Sequence, residues 1–282
     1  MTSQIKTLLL LALLTGLILL LGAAAGGRAG LLIALAVALG MNFFSYWYSD
    51  RIVLTMYKAR ELSPGDAPAL HRMVAELAEH AGVPKPRLVL VPQPAPNAFA
   101  TGRNPENAVI AVTEGLVRLM PPEELRGVLG HEMGHIKNRD ILIQSVAAVL
   151  ATAIMFFGNM LRFAAFFGGA RSQDGEGGNP FATLALAILA PIAALVIQMA
   201  ISRSREYLAD ATGAALDGDP RHLATALQRL DAAAKQIPLH GNPSTENMFI
   251  VSPFAGGLGS LFSTHPPVED RVRRLLALRR DR

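Results

Sequence analysis

Four long apolar runs alternate with two polar segments along the chain, and this alternation predicts its layout. The runs Thr7–Gly27, Ala29–Ser49, Ile141–Leu161 and Gly177–Ser202 carry no charged residue. Each is about as long as a helix needs to cross a bilayer. The first two are separated by Arg28 alone, so they predict a tight helical hairpin retained in the membrane. A cleaved leader would have a shorter apolar region and no second span behind it. Tyr46, Trp47 and Tyr48 close the second run, where an interfacial aromatic belt is expected. Gln144, Asn159, Pro191 and Gln198 make the third and fourth runs less lipid-like. Those two can cross as a second hairpin, or pack against the first hairpin or the polar domain. The resulting division is 1–49, 50–140, 141–202 and 203–282.

The polar segments read as α+β. Ser63-Pro64-Gly65-Asp66 is a turn into a helix with Leu70, Met73, Val74, Leu77, Ala78 and Ala81 on one face, ended by Gly82 and Pro84. Arg87–Val91 and Ala108–Val112 are β-type runs joined by a Pro- and Asn-rich connection. Pro121-Pro122 opens another helix, with Glu123 and Glu124 in its first turn, where the helix dipole favours acids. Further helices are expected near 203–216, near 220–236 and from Val268. The fold class is therefore an α+β membrane protein, mainly helical, with a small sheet and two hydrophobic hairpins.

Composition supports a membrane location. Of 282 residues, 51% are hydrophobic and 17% charged, and mean hydropathy is positive. All but four of the 26 Lys and Arg fall in 50–140 and 203–282, the exceptions being Lys6, Arg28, Arg162 and Arg171. The positive-inside rule then puts both termini and both polar segments in the cytoplasm, with the chain multi-pass. The basic residues are dispersed among 22 acids, so the chain lacks the concentrated stripe that nucleic-acid binding needs. With no cysteine present, any metal must be held by His, Asp or Glu.

The informative string is Gly130-His131-Glu132-Met133-Gly134-His135. On a helix, His131 and His135 project from one face and can grip a single metal ion. Glu132 is rotated to the side, where it can act as base toward a water that zinc has acidified. A five-residue pattern can arise by chance. Here it lies on a predicted helix with a proper start, among polar residues.

A catalytic zinc site needs a third protein ligand. The best candidate is Glu206, which shares a helix face with Asp210, so one can be the ligand and the other an acceptor behind a histidine. His135 lies six residues before the third apolar run and Glu206 four after the fourth. A hairpin of those runs would bring Glu206 back to the catalytic helix.

Over essentially its whole length the chain resembles the HtpX-type membrane zinc metalloproteases, relatives of the CAAX prenyl proteases. The likeness rests on four ordered segments: Asn97 to Gly102, Gly130 to Asp140, Ser202 to Asp210, and Ser263-Thr264-His265-Pro266-Pro267. It implies a zincin-type catalytic domain with one zinc per chain on His131, His135 and Glu206, and Glu132 as general base. It also implies quality-control and stress-response cleavage of unfolded or misfolded membrane proteins in a bacterial inner membrane. By the same resemblance, Asn97, Ala98, Phe99 and Ala100 form an edge that pairs with substrate. Read alone, they are equally a polar turn. His265, Tyr207 and Arg271 become candidates for polarising the scissile carbonyl or binding substrate. His71, His80, His222 and His240 read as solvated. Two alternatives stand beside this reading, a prenyl-protein-type protease and a catalytically silent metal-binding membrane scaffold.

Overall fold

The computed structural model describes residues 3–149, 151, 203–236, 248–251 and 265–278. The first two apolar runs form one helical stretch, α1, Ser3–Met56. It folds back on itself, since Asn42 Nδ2 donates to Thr15 Oγ1 at 2.7 Å. A straight helix would hold residues 27 apart at about 40 Å. Gly27, with φ 55°, lies between the two limbs in a conformation that costs other residues a steric clash. The limb Gly27–Met56 is long and apolar enough to cross a membrane. Leu32, Ile33, Leu39, Phe43 and Phe44 are exposed along it, an arrangement that suits lipid rather than water.

α1 runs past Ser49 to Met56, and its last turns leave the apolar limb to join the polar body. Four strands follow: β1, Arg60–Glu61; β2, Arg87–Val91; β3, Ala98–Thr101; and β4, Val109–Thr113. Their order is β1-β2-β4-β3, with β2 and β4 parallel and the two edges antiparallel. The connection between the two expected strands thus contains a strand of its own. All five residues of β4 are buried because both faces of the sheet are covered, which explains its unbroken apolar run.

On one face Leu88, Ala98, Ala100, Ile110 and Val112 pack with the helices of the polar body. These are α2, Pro68–Ala81; α3, Glu114–Leu119; and α4, Pro122–Lys137. The buried residues of α2 (Leu70, Val74, Leu77, Ala78 and Ala81) lie on one side, as the 3.6-residue period requires. On the other face Val89, Val91, Phe99, Val109 and Ala111 meet Val53 and Tyr57 at the foot of α1, together with Met248 and Phe249. Tyr57, Phe99 and Phe249 form a ring cluster with centroids 5.6–6.0 Å apart.

The third apolar run begins as a helix, α5, over 141–149. It packs against protein where it is described. Val146 and Ala147 meet Leu11, Ile18 and Met41 of α1, and Ser145 Oγ lies 2.7 Å from Thr101 Oγ1 at the end of β3. The rest of that run and the fourth, like His240, lie outside the described residues. Beyond them come α6, Arg203–Asp217; α7, Pro220–Ala234; and α8, Val268–Ala277. α6 and α7 pack along α4, so the two polar segments share one core.

Candidate active site

α4 runs through the core with Leu125 and residues 127–136 buried. His131 and His135 are one turn apart on it, their Nε2 atoms 3.1 Å from each other. α6 brings in Glu206, whose Oε2 lies 3.7 Å from His131 Nε2 and whose Oε1 lies 3.5 Å from His135 Nε2. These three are the one group among the described residues whose donor atoms could hold a metal, all within 4.8 Å of one another. Zinc bonds of about 2.0–2.1 Å in a tetrahedron separate the donors by roughly 3.3 Å, so the spacing fits.

Glu206 Oε2 supports that fit. It is buried and forms no hydrogen bond, with nitrogens of His265, His131 and Arg271 at 3.4, 3.7 and 3.8 Å. A buried carboxylate oxygen at those distances is satisfied by a cation among the donors. Burial works to raise the Glu206 pKa, but His135, with His265 and Arg271, holds it well below the ordinary value. The third donor is therefore a carboxylate anion.

At His131 the other ring nitrogen fixes the tautomer. His131 Nδ1 lies 2.9 Å from Asp210 Oδ1, so it donates there and leaves Nε2 as a lone pair. Burial lowers the His131 pKa to about 4, against the pull of Asp210. His135 Nδ1 faces Asp140 Oδ2 at 3.6 Å. Burial works downward at His135 too, but Glu206, Asp140 and Glu132 outweigh it and raise its pKa to about 9. Asp140 closes the Gly130 to Asp140 motif but was given no role from the sequence. It is turned back by Arg139, which has φ 58°, so that the Asp140 N–H bonds His135 O at 2.9 Å. That is the six-to-one bond of a left-handed helix C-cap.

Glu132 is 2% exposed. Burial raises its pKa to about 7, moderated by His135 and by a hydrogen bond from the Ala100 N–H. A carboxylate titrating near neutrality can accept and return a proton.

Asn97 and β3 are also buried. Asn97 N donates to Thr113 Oγ1, and Asn97 Oδ1 accepts from Ala98 N and from Ile250 N. Asn97 thus bolts the start of β3 to β4 and to segment 248–251. Phe99 faces the rings of Tyr57 and Phe249. His265 is brought against Glu206, as noted. Arg271 is wholly buried and pairs doubly with Asp210 at 2.6 and 2.8 Å, while its Nη1 donates to Ile250 O at 2.5 Å. Tyr207 lies beneath the Arg274 guanidinium, 3.8 Å from ring centroid to carbon. Of the histidines expected to be solvated, His80 is exposed and His71 and His222 are half-buried, and each also bonds a neighbour, Leu216 O, Leu62 O and Asp217 respectively.

Glycines set the approach of the two ligand-bearing helices. A methyl added at Gly213 on α6 would lie 2.6 Å from His131 N and 2.7 Å from the Gly130 carbonyl, and one at Gly134 would lie 2.8 Å from Ala209 O. Backbone meets backbone there, which fixes the distance from α4 to Glu206. Gly213→Ala is expected to lower Tm and loosen metal retention. Overpacking costs about 1–3 kcal/mol, whereas helix propensity alone would favour Ala by about 1 kcal/mol. A melting temperature at or above that of the parent would refute the contact.

Comparison with known proteins agrees with this geometry. Residues 64–279 match the profile of peptidase family M48. "Protease HtpX homolog" of Desulforapulum autotrophicum is 56% identical over 277 residues, covering 98% of this chain and 90% of that one. The protein of the same name from Syntrophobacter fumaroxidans is 55% identical over 282 residues, covering 99% and 100%. A third, from Pyrococcus furiosus, is 56% identical over 273 residues, covering 96% and 94%. Among solved structures, the crystal structure of S. mikatae Ste24p shares the fold with a TM-score of 0.53 at 19% identity, over 96% of this chain and 65% of that one. With its paired histidines and third carboxylate on a membrane-type scaffold, the chain belongs to peptidase family M48 and is a membrane metalloprotease of the HtpX type.

Proposed function

We propose that the chain is a zinc endopeptidase that cleaves unfolded or misfolded membrane proteins, with His131, His135 and Glu206 as ligands and Glu132 as general base. One observation carries this reading: three donor atoms lie within 4.8 Å of one another beside a buried carboxylate whose pKa is near 7. Zinc, when bound there, supplies a Lewis acid that polarises the scissile carbonyl and acidifies water. Glu132 takes the proton of the attacking water and delivers it to the leaving amine. Asp210 holds His131 by its Nδ1 atom and Asp140 faces that of His135, while both Nε2 atoms face inward. His265, against Glu206, is placed to polarise the carbonyl.

β3 is an edge strand, and an extended peptide laid beside it would pair with its outward backbone groups. Of these, the Ala98 N–H is turned onto Asn97 Oδ1 and the Ala100 N–H onto Glu132. A substrate strand would take both donors in exchange. The foot of α1 packs on the back of this sheet, which keeps the site close to membrane-borne substrates. The Lys and Arg near the apolar runs support an orientation with the polar body and both termini on the cytoplasmic side, and the resemblance to HtpX proteases supports a bacterial inner membrane as its location.

Metal analysis of Glu206→Ala tests the ligand set. Loss of tightly held zinc together with activity is expected. Full retention of both would remove Glu206 from the ligands. Asp210→Ala is expected to cost less, about 10- to 100-fold in affinity or activity.

A further inference from the structure

We propose that a pocket at the foot of α1, away from the metal ligands, binds the headgroup of an anionic phospholipid of the phosphatidylglycerol type. The pocket has a volume of about 350 Å³, at the small end of the roughly 300–1,000 Å³ of ligand sites. Four cations line it: Arg51 of α1, Lys85 and Arg87 at the start of β2, and Arg103 just beyond β3. Of these four, only Arg87 has a carboxylate of the described residues within ion-pair distance, Glu61 at 3.6 Å. Arg103 lies over the ring of Trp47 at 4.8 Å and reaches Asn107 Oδ1 at 3.4 Å. Arg51 lies over Tyr48 at 5.6 Å.

Depth along α1 identifies the ligand as a lipid. Trp47 lines the pocket, and it follows an exposed apolar limb in which no charge intervenes between Arg28 and Asp50. The pocket therefore sits at the interfacial aromatic belt, where headgroups lie and where basic pockets capture acidic lipids. Its other two charged residues, Asp50 and Glu106, leave the lining net positive. They can accept hydrogen bonds from glycerol hydroxyls while the cations hold the phosphate. Exposed Phe43 and Phe44 lie one turn up α1, on the acyl-chain side. An occupant would also touch Arg103, two residues from the end of β3, so it would brace the edge strand from below.

Trp47 is the only tryptophan in the chain, which makes the test direct. The full chain is placed in vesicles of phosphatidylcholine containing a minor fraction of a lipid brominated on its acyl chains, and Trp47 emission is recorded. Brominated phosphatidylglycerol is expected to quench several-fold more than the same fraction of brominated phosphatidylcholine or phosphatidylethanolamine. Each basic residue near a surface contributes about a fivefold preference, so Lys85→Gln with Arg103→Gln is expected to abolish the excess. Equal quenching by phosphatidylglycerol and phosphatidylcholine in the parent protein would overturn the proposal, and needs no variant. Equal quenching by phosphatidylethanolamine would overturn the requirement for an anionic headgroup. If soluble glycerol phosphate shifts Trp47 emission but brominated phosphatidylglycerol shows no excess, the ligand is a free phosphate and not a lipid. Quenching by none of the lipids would overturn the placement of α1 in the bilayer, on which the proposal rests.

Discussion

Replacing Glu132 by Gln is expected to leave the metal content unchanged while kcat on an unfolded protein falls about 10²- to 10⁴-fold, the range that a positioned acid–base group contributes. Gln has the shape of the Glu132 side chain, and its carbonyl oxygen can still accept from the Ala100 N–H. What it loses is the ability to take a proton. Because Glu132 is buried among packed residues, the substitution tests chemistry rather than shape, and KM is expected to change little. The same variant separates the enzyme from a silent metal scaffold, in which the residue between the histidines would have no kinetic role. Near-parental turnover with normal metal content would remove Glu132 from the mechanism. Loss of metal would make it a structural part of the ligand set.

Arg271→Met is expected to act on stability first. Arg271 is completely buried, and Asp210, also buried, is held by it on both oxygens. Removing one partner of such a pair costs about 3–5 kcal/mol, because the remaining charge stays buried without compensation. For a chain of this size that corresponds to a fall of roughly 10 °C in Tm. Lys would not rescue it, because one ammonium cannot make the two-pronged contact with Asp210 and also reach Ile250 O. Asp210→Asn combined with Arg271→Met is expected to cost less than the two changes added, since the residues act as a pair. Were Arg271 a substrate contact instead, Arg271→Met would raise KM and leave Tm in place.

The parts of the site that the sequence made legible were those with local periodicity. His131 and His135 announced themselves because four residues make one helical turn, and Glu206 followed because two apolar runs separate it from them. The strands were visible as the short β-type runs Arg87–Val91 and Ala108–Val112, the second lying one residue ahead of the observed Val109–Thr113. Arg271 was a candidate through the resemblance alone, for polarising the carbonyl or binding substrate, and not as a buried partner of Asp210. Its burial depends on Asp210, 61 positions earlier, and nothing local signals that partner. Asp140 was hidden for a related reason. It reaches His135 only because Arg139 adopts a left-handed conformation, which is usually reserved for Gly or Asn. The glycines at 130, 134 and 213 had no reading of their own, since a close approach belongs to two helices at once. The strand at 98–101 was expected as an extended edge only through the resemblance, since the residues alone read equally as a polar turn until β4 is placed beside them.

The contact of Gly213 with the backbone of Gly130 and His131 bears on how the enzyme responds to chelators. In zinc fingers the ligands are unpaired until the ion arrives, so capturing the ion is also the act of folding. Here the spacing between α4 and α6 is set by main-chain atoms touching, and Arg271 and Asp210 clamp His131 from behind without help from the metal. Stripping the ion is therefore expected to inactivate a folded protein rather than melt one. Reactivation on adding zinc is expected to be a capture event with no refolding phase, with circular dichroism unchanged through the cycle.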